Sequence, residues 1–215
     1  MNILFVFAHP DDEAFGPAGT IRKLSDDGHR VWVLSLCKGN RPGADVEHSR
    51  KEAFISVCNI LGATPIICDS DDVHLDFHTA VADIVSNMRS IQPDVVYTHN
   101  ISDLHRDHRT TAEAVMVACR PTEGNTVKTL YFCEIPASTD WTFGQIEPAF
   151  VPTTFVDIGK YMMVKQQVMQ WYSTELHADA RSAYSMEIMS QNRGRTVGIK
   201  YAEAFKLVFD ICKQS

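Results

Sequence analysis

The 215-residue sequence has no apolar run approaching the ~20 residues that a membrane-spanning helix needs. Its six cysteines, Cys37, Cys58, Cys68, Cys119, Cys133 and Cys212, form no C-x-x-C pair, which argues against a cysteine zinc knuckle. Most sit in apolar stretches such as Ile66-Ile67-Cys68, as small buried hydrophobes of a reducing compartment do. There is no excess of basic charge: 20 Lys and Arg stand against 27 Asp and Glu, a net charge of -7. Without a basic stripe no nucleic-acid partner is expected, although one local arginine is enough to receive an anionic small molecule. No G-x-G-x-x-G follows the first apolar run, so the dinucleotide fingerprint is missing. The first residues lack a basic start and reach His9-Pro10-Asp11 too soon for a signal peptide. The cytoplasm is therefore the expected compartment, with no membrane partner.

What is there has the make-up of a globular protein, 45% apolar and 22% charged. With no repeat, low-complexity tract or linker in view, a single domain over residues 1–215 is the simplest organisation. Ile3 to Ala8 is a continuous apolar run, expected as a strand buried on both faces. Pro17 suits the first position of a helix starting near Gly16 and ending at Asp27-Gly28, which leaves His9 to Glu13 as a loop. Val31 to Leu36, residues 65 to 68 and Val95 to Tyr97 are the next expected strands. Helices are expected around Phe54 to Leu61, Val81 to Met88 and Ala112 to Cys119. Further on, strands are expected at Val127 to Cys133 and Thr153 to Ile158, and helices over 160–172 and about 180–193. A half-buried last strand would place Phe205, Leu207, Phe209 and Ile211 on one face. Strands alternating with helices imply a Rossmann-like α/β fold, a three-layer α/β/α sandwich with a mostly parallel sheet. Such sheets bind ligands beyond the carboxyl ends of their strands, near a switch in strand order.

Two polar segments stand at that edge. Ala8-His9-Pro10-Asp11-Asp12-Glu13 follows the first strand, and a divalent cation would compensate its crowded ionisable groups. By itself such a segment is equally a solvated helix N-terminus. His105-Arg106-Asp107-His108 follows the fourth strand, with Asp107 alternatively an N-cap. If strands one and four are neighbours, the two segments converge. Two histidines and an aspartate then make a three-ligand site with an open position for water, as catalytic zinc requires.

Together these motifs resemble the PIG-L/LmbE family of zinc-dependent N-acetylglucosaminyl deacetylases. Arg50-Lys51-Glu52-Ala53 leading to Leu61-Gly62, and Arg193-Gly194 leading to Tyr201-Ala202-Glu203-Ala204-Phe205, extend the resemblance over nearly the whole chain. It implies His9, Asp12 and His108 as metal ligands and Asp11 as the base that takes a proton from the attacking water. It implies His105 as the group facing the oxyanion or as the acid protonating the leaving amine. Asp107 is expected to orient His105 from behind. The implied metal is Zn2+, although iron, manganese or cobalt also suit a His-Asp-His set. The implied substrate is a small acetylated sugar or sugar conjugate; a non-sugar N-acyl compound would meet the same attacking water.

Other residues carry two readings each. Arg50 would contact a substrate hydroxyl or phosphate, or pair with a carboxylate. Trp141 would stack on a sugar ring or anchor its loop in the core. Glu203 would face the cleft or form a structural ion pair, His99 would line the site or serve as a hydrogen-bonded core histidine, and His177 is equally ambiguous. His29, His48, His74 and His78 lie among polar residues and are expected at the surface. A compact fold of this size is compatible with a homo-oligomer.

Overall fold

The computed structural model describes residues 1–39, 50–176 and 180–212. His48, His177 and the tip of the loop after the second strand lie outside these residues. Among them, seven strands make one sheet: β1 (Asn2–Phe7), β2 (Arg30–Cys37), β3 (Thr64–Ser70), β4 (Val95–His99), β5 (Thr129–Cys133), β6 (Thr154–Asp157) and β7 (Ala202–Asp210). Their spatial order is β3-β2-β1-β4-β5-β7-β6. Strand β1 pairs in parallel with both β2 and β4, so the order reverses between β1 and β4. Strand β7 alone runs opposite to the other six, and the sheet is mostly parallel as expected.

Strand alternation decides the layers. Ile3, Phe5 and Phe7 enter one apolar cluster with Phe15, Ile21, Phe54 and Tyr172. Leu4 and Val6 enter another with Ile84, Val96 and Val115. Each fully buried side chain of this size contributes about 1.5–3 kcal/mol. The first cluster is covered by α2 (Ala18–Asp26), α3 (Arg50–Leu61), α6 (Met162–Met169) and α7 (Ala183–Val197). The second is covered by α4 (Phe77–Ile91) and α5 (Arg106–Ala118). This is the three-layer α/β/α arrangement. Among the described residues, no helix is long and apolar enough to cross a membrane.

Four local expectations are corrected. The segment 9–13 is not all loop, because Asp12–Phe15 closes a one-turn helix, α1. Pro17 stands at the N-cap of α2 rather than inside it. The helix expected over 160–172 stops at Met169, where a 3-10 segment takes over and Tyr172 leaves helical geometry (φ -108°, ψ 47°). In β7 the expected alternation fails beyond Phe205. Leu130 pairs with Phe209 and Tyr131 with Leu207, so Val208 is an extra residue in the ladder. That bulge turns Val208 and Phe209 toward the second cluster and leaves Leu207 38% exposed.

Candidate metal and active site

The carboxyl ends of β1 and β4 face one another at the switch point, and both polar segments start there. The backbone N–H of His9 donates to Asp12 Oδ2 at 2.9 Å, folding the turn onto its own carboxylate. Asp11 takes φ 140°, outside the regions open to most side chains, a strain worth about 1–3 kcal/mol. Two contacts hold it there. Its N–H donates to Glu13 Oε2 at 3.0 Å, and Arg50 donates to Asp11 Oδ2 at 3.1 Å.

Opposite, His105 is the N-cap of α5, with Nδ1 accepting the Asp107 N–H at 3.2 Å. The N-cap alternative for Asp107 is thus taken by His105. His108, in the first turn, directs Nε2 to Asp12 Oδ1 at 3.3 Å and Nδ1 to Asp103 Oδ1 at 3.1 Å. Around Asp12 stand three imidazoles, since His9 Nδ1 and His99 Nε2 lie 3.5 and 3.3 Å from Oδ2. Ring centroids in this cluster are 3.9 Å apart for His99–His108 and 4.8 Å for His9–His105.

Ligand atoms of His9, His105 and His108 all lie within 4.8 Å of one another, as do those of Asp12, His99 and His108. His99 is poorly placed to donate a lone pair. Its Nε2 already accepts the Ala8 N–H at 2.9 Å, so Nδ1 carries the hydrogen, and that atom is buried without a partner. Buried imidazole nitrogens around a carboxylate suit a borderline cation such as zinc. This His/Asp cluster is therefore chemically fit to hold a metal ion.

The charges at the site are strongly coupled. Burial works against a charged His108, yet Asp12 and Asp103 lift it to about 10. Burial favours protonating Asp12 and Asp103 as well, but His108 outweighs it and holds both well below the usual carboxylate range. Burial and then repulsion from Asp12 raise Asp11, against the opposing charges of Arg50 and Arg181. His105 is lowered to about 4 by burial first and then by His108 and His9. It is therefore a neutral imidazole that accepts at Nδ1 and carries its hydrogen on Nε2.

Together, His9, Asp11, Asp12, Arg50, Asp72, Val73, His105, His108 and Arg181 line a cavity of about 80 Å³. Two sequence expectations are not met by this geometry. Asp107 directs its carboxylate to His9 Nε2 (3.1 Å) and the Val73 N–H (2.7 Å), not to His105, which meets only its backbone. Trp141 has no place in the cavity wall and sits 44% exposed on a 3-10 turn. Arg50 pairs with Asp11 and Asp72, the carboxylate alternative. Glu203 forms a buried ion pair with Lys165 at 2.6 Å and accepts the Gly19 and Thr20 N–H groups.

Three residues escaped the sequence reading. Asp103 accepts from Thr139 Oγ1 at 2.6 Å and from the His105 N–H at 2.8 Å while meeting His108; its place five residues before that histidine was the available signal. Asp72 and Arg181 belong to no motif, and only the fold brings them to the cavity.

A Rossmann-like sheet carrying a His/Asp cluster at its switch point defines a class of metal-site α/β enzymes. Residues 4–119 match the PIG-L family, described as GlcNAc-PI de-N-acetylase, and the chain belongs to that family. The chain is 27% identical to diacetylchitobiose deacetylase of Thermococcus kodakarensis, over 96% of this chain and 83% of that one. Its fold superposes on the conserved protein TT1542 of Thermus thermophilus with TM-score 0.81 at 20% identity, covering 100% and 97% of the two chains. It also superposes on a 4-carboxy-2-hydroxymuconate hydratase of Pseudomonas putida with TM-score 0.77 at 23% identity, covering 100% and 99%.

Proposed function

We propose that the chain, acting as one domain, is a zinc-dependent deacetylase of an N-acetylated sugar or sugar conjugate. The observation that carries this reading is the convergence of His9, Asp11, Asp12, His105 and His108 in one cavity at the switch point. The resemblance to named deacetylases supports it.

His9, Asp12 and His108 would hold the cation, with Asp107 behind His9 and Asp103 behind His108 fixing the two rings. When bound, zinc supplies a Lewis acid that polarises the acetyl carbonyl and lowers the pKa of water from about 15.7 towards about 7. Asp11 is the base. Arg50 holds its Oδ2, and burial, which raises its pKa, makes it a stronger proton acceptor than an exposed carboxylate. His105 carries its hydrogen on Nε2 and acts as a neutral donor to the developing oxyanion, the role its lowered pKa favours over that of a cationic acid. Water attacks the acetyl carbon, the C–N bond breaks, and the proton held by Asp11 passes to the departing amine. The products are acetate and the free amino sugar.

The test is acetate release from a panel of N-acetyl sugars, measured with metal content on the same purified protein. Roughly one metal per chain with chelator-sensitive release supports the reading. Metal without release from any N-acetyl sugar refutes the sugar deacetylase, and absence of metal refutes the mechanism.

A further inference from the structure

Two arginines line the cavity, and they are in opposite states. Arg50 is paired, each of its three nitrogens donating to a partner: the Gly39 carbonyl, Asp11 and Asp72. Among the described residues, Arg181 donates only through Nε, to the Pro136 carbonyl at 3.0 Å. Its guanidinium carbon lies 5.0 Å from the ring centroid of buried Phe15. Among the described residues, no carboxylate forms an ion pair with it.

The group is thus oriented without being neutralised. The carbonyl and the ring fix its plane, and no group among the described residues takes the two terminal nitrogens. Those nitrogens are the edge of a guanidinium that meets carboxylate or phosphate in two parallel hydrogen bonds.

The pairing within the wall points the same way. Arg50 is offset by Asp11 and Asp72, whereas among the described residues Arg181 is the cavity's guanidinium that forms no ion pair with a carboxylate.

We propose that Arg181 is the anion-binding point of this cavity, taking a carboxylate or phosphate carried by the acetylated sugar, so that the preferred substrates are acidic sugar conjugates. The inference rests on the deacetylase reading for the sugar, while the anion subsite is tested by binding alone.

The experiment is calorimetric titration of the metal-loaded full chain with N-acetylglucosamine, its 1-phosphate, its 6-phosphate and N-acetylmuramic acid. The wild type, Arg181→Lys and Arg181→Gln are compared, with thermal melts to verify that each variant is folded. At least one acidic sugar is expected to bind the wild type about tenfold tighter than the neutral one. That ratio should fall to about one in Arg181→Gln and be partly restored in Arg181→Lys. The best binder identifies phosphate or carboxylate as the group received. No preference in the wild type overturns the proposal. A preference that survives in Arg181→Gln also overturns it, because the anion then sits on the metal or on Arg50. Acetate release is read separately: anion preference without hydrolysis refutes the deacetylase and leaves the subsite, and hydrolysis without preference does the reverse.

Discussion

The hydroxyl of Tyr172 donates to Glu13 Oε1 at 2.5 Å, and the other oxygen of that carboxylate accepts the Asp11 N–H at 3.0 Å. A residue from the C-terminal third thereby holds, through one buried side chain, the backbone of Asp11, the proposed base. Burial raises Glu13 to about 8, against the opposing hydrogen bond from Tyr172. Tyr172→Phe leaves Oε1 without this donor in a closed environment, and the expected loss of stability is about 1–3 kcal/mol. As a positioning residue, Tyr172 should also affect kcat while KM and metal content stay unchanged. Urea unfolding and steady-state kinetics check both; full kcat in the folded variant would show that Asp11 keeps its position without this support.

Asp11→Ala removes the proposed base but no proposed ligand. It should retain about one metal per chain and lose about 10²–10⁴-fold in kcat. Elemental analysis beside acetate release distinguishes this from a ligand role, in which metal would be lost with activity.

Asp103→Asn tests the residue behind His108. The carboxylate sits 3.1 Å from Nδ1, and its loss should weaken metal affinity about 10–100-fold, as removal of such outer partners does. Competition with a chromogenic chelator measures it. His108→Ala, which removes the proposed ligand itself, should abolish binding in the same assay, and a fully metallated His108→Ala would remove His108 from the ligand set.

Asp94 ties the start of β1 to the entry of β5. It accepts the Asn2 N–H and the Lys128 ammonium, both at 2.9 Å, and these hold its pKa below the ordinary value, the Asn2 bond contributing most. A depressed folded-state pKa gives stability that is present above the unfolded pKa, near 4, and is lost as pH falls through the folded value. Asp94→Asn should therefore cost at most about 1 kcal/mol at pH 7, discounted for solvent exposure, and progressively less toward pH 3. Chemical denaturation of both proteins across that range reads the difference; a penalty independent of pH would assign the effect to packing.

Much of the frame was legible because it rests on local patterns. The run Ile3 to Ala8 reads as a strand buried on both faces, and the helix expected around Val81 to Met88 is there as α4, closed by a left-handed cap at Gln92. The last strand was misread beyond Phe205 because its face depends on a bulge opposite β5, a property of the pair and not of the alternating residues. At the site, the side-chain types and their spacing drew attention to His9, Asp11, Asp12, His105 and His108. Asp107 was assigned to the wrong histidine because its carboxylate bridges to His9 and Val73 across the sheet edge, which sequence proximity to His105 conceals.

By itself, then, the sequence determined the order of strands and helices and the two polar segments that follow β1 and β4. Hydrophobic period, turn residues and side-chain chemistry act over a few neighbours and can be read from them. The tertiary structure alone decided which carboxylate meets which imidazole, that Arg50 pairs with Asp11 and Asp72 while Arg181 forms no ion pair among the described residues, and that Tyr172 reaches Glu13. Those contacts join residues far apart in the chain. Strand order and helix packing set their distances, and no local pattern encodes them.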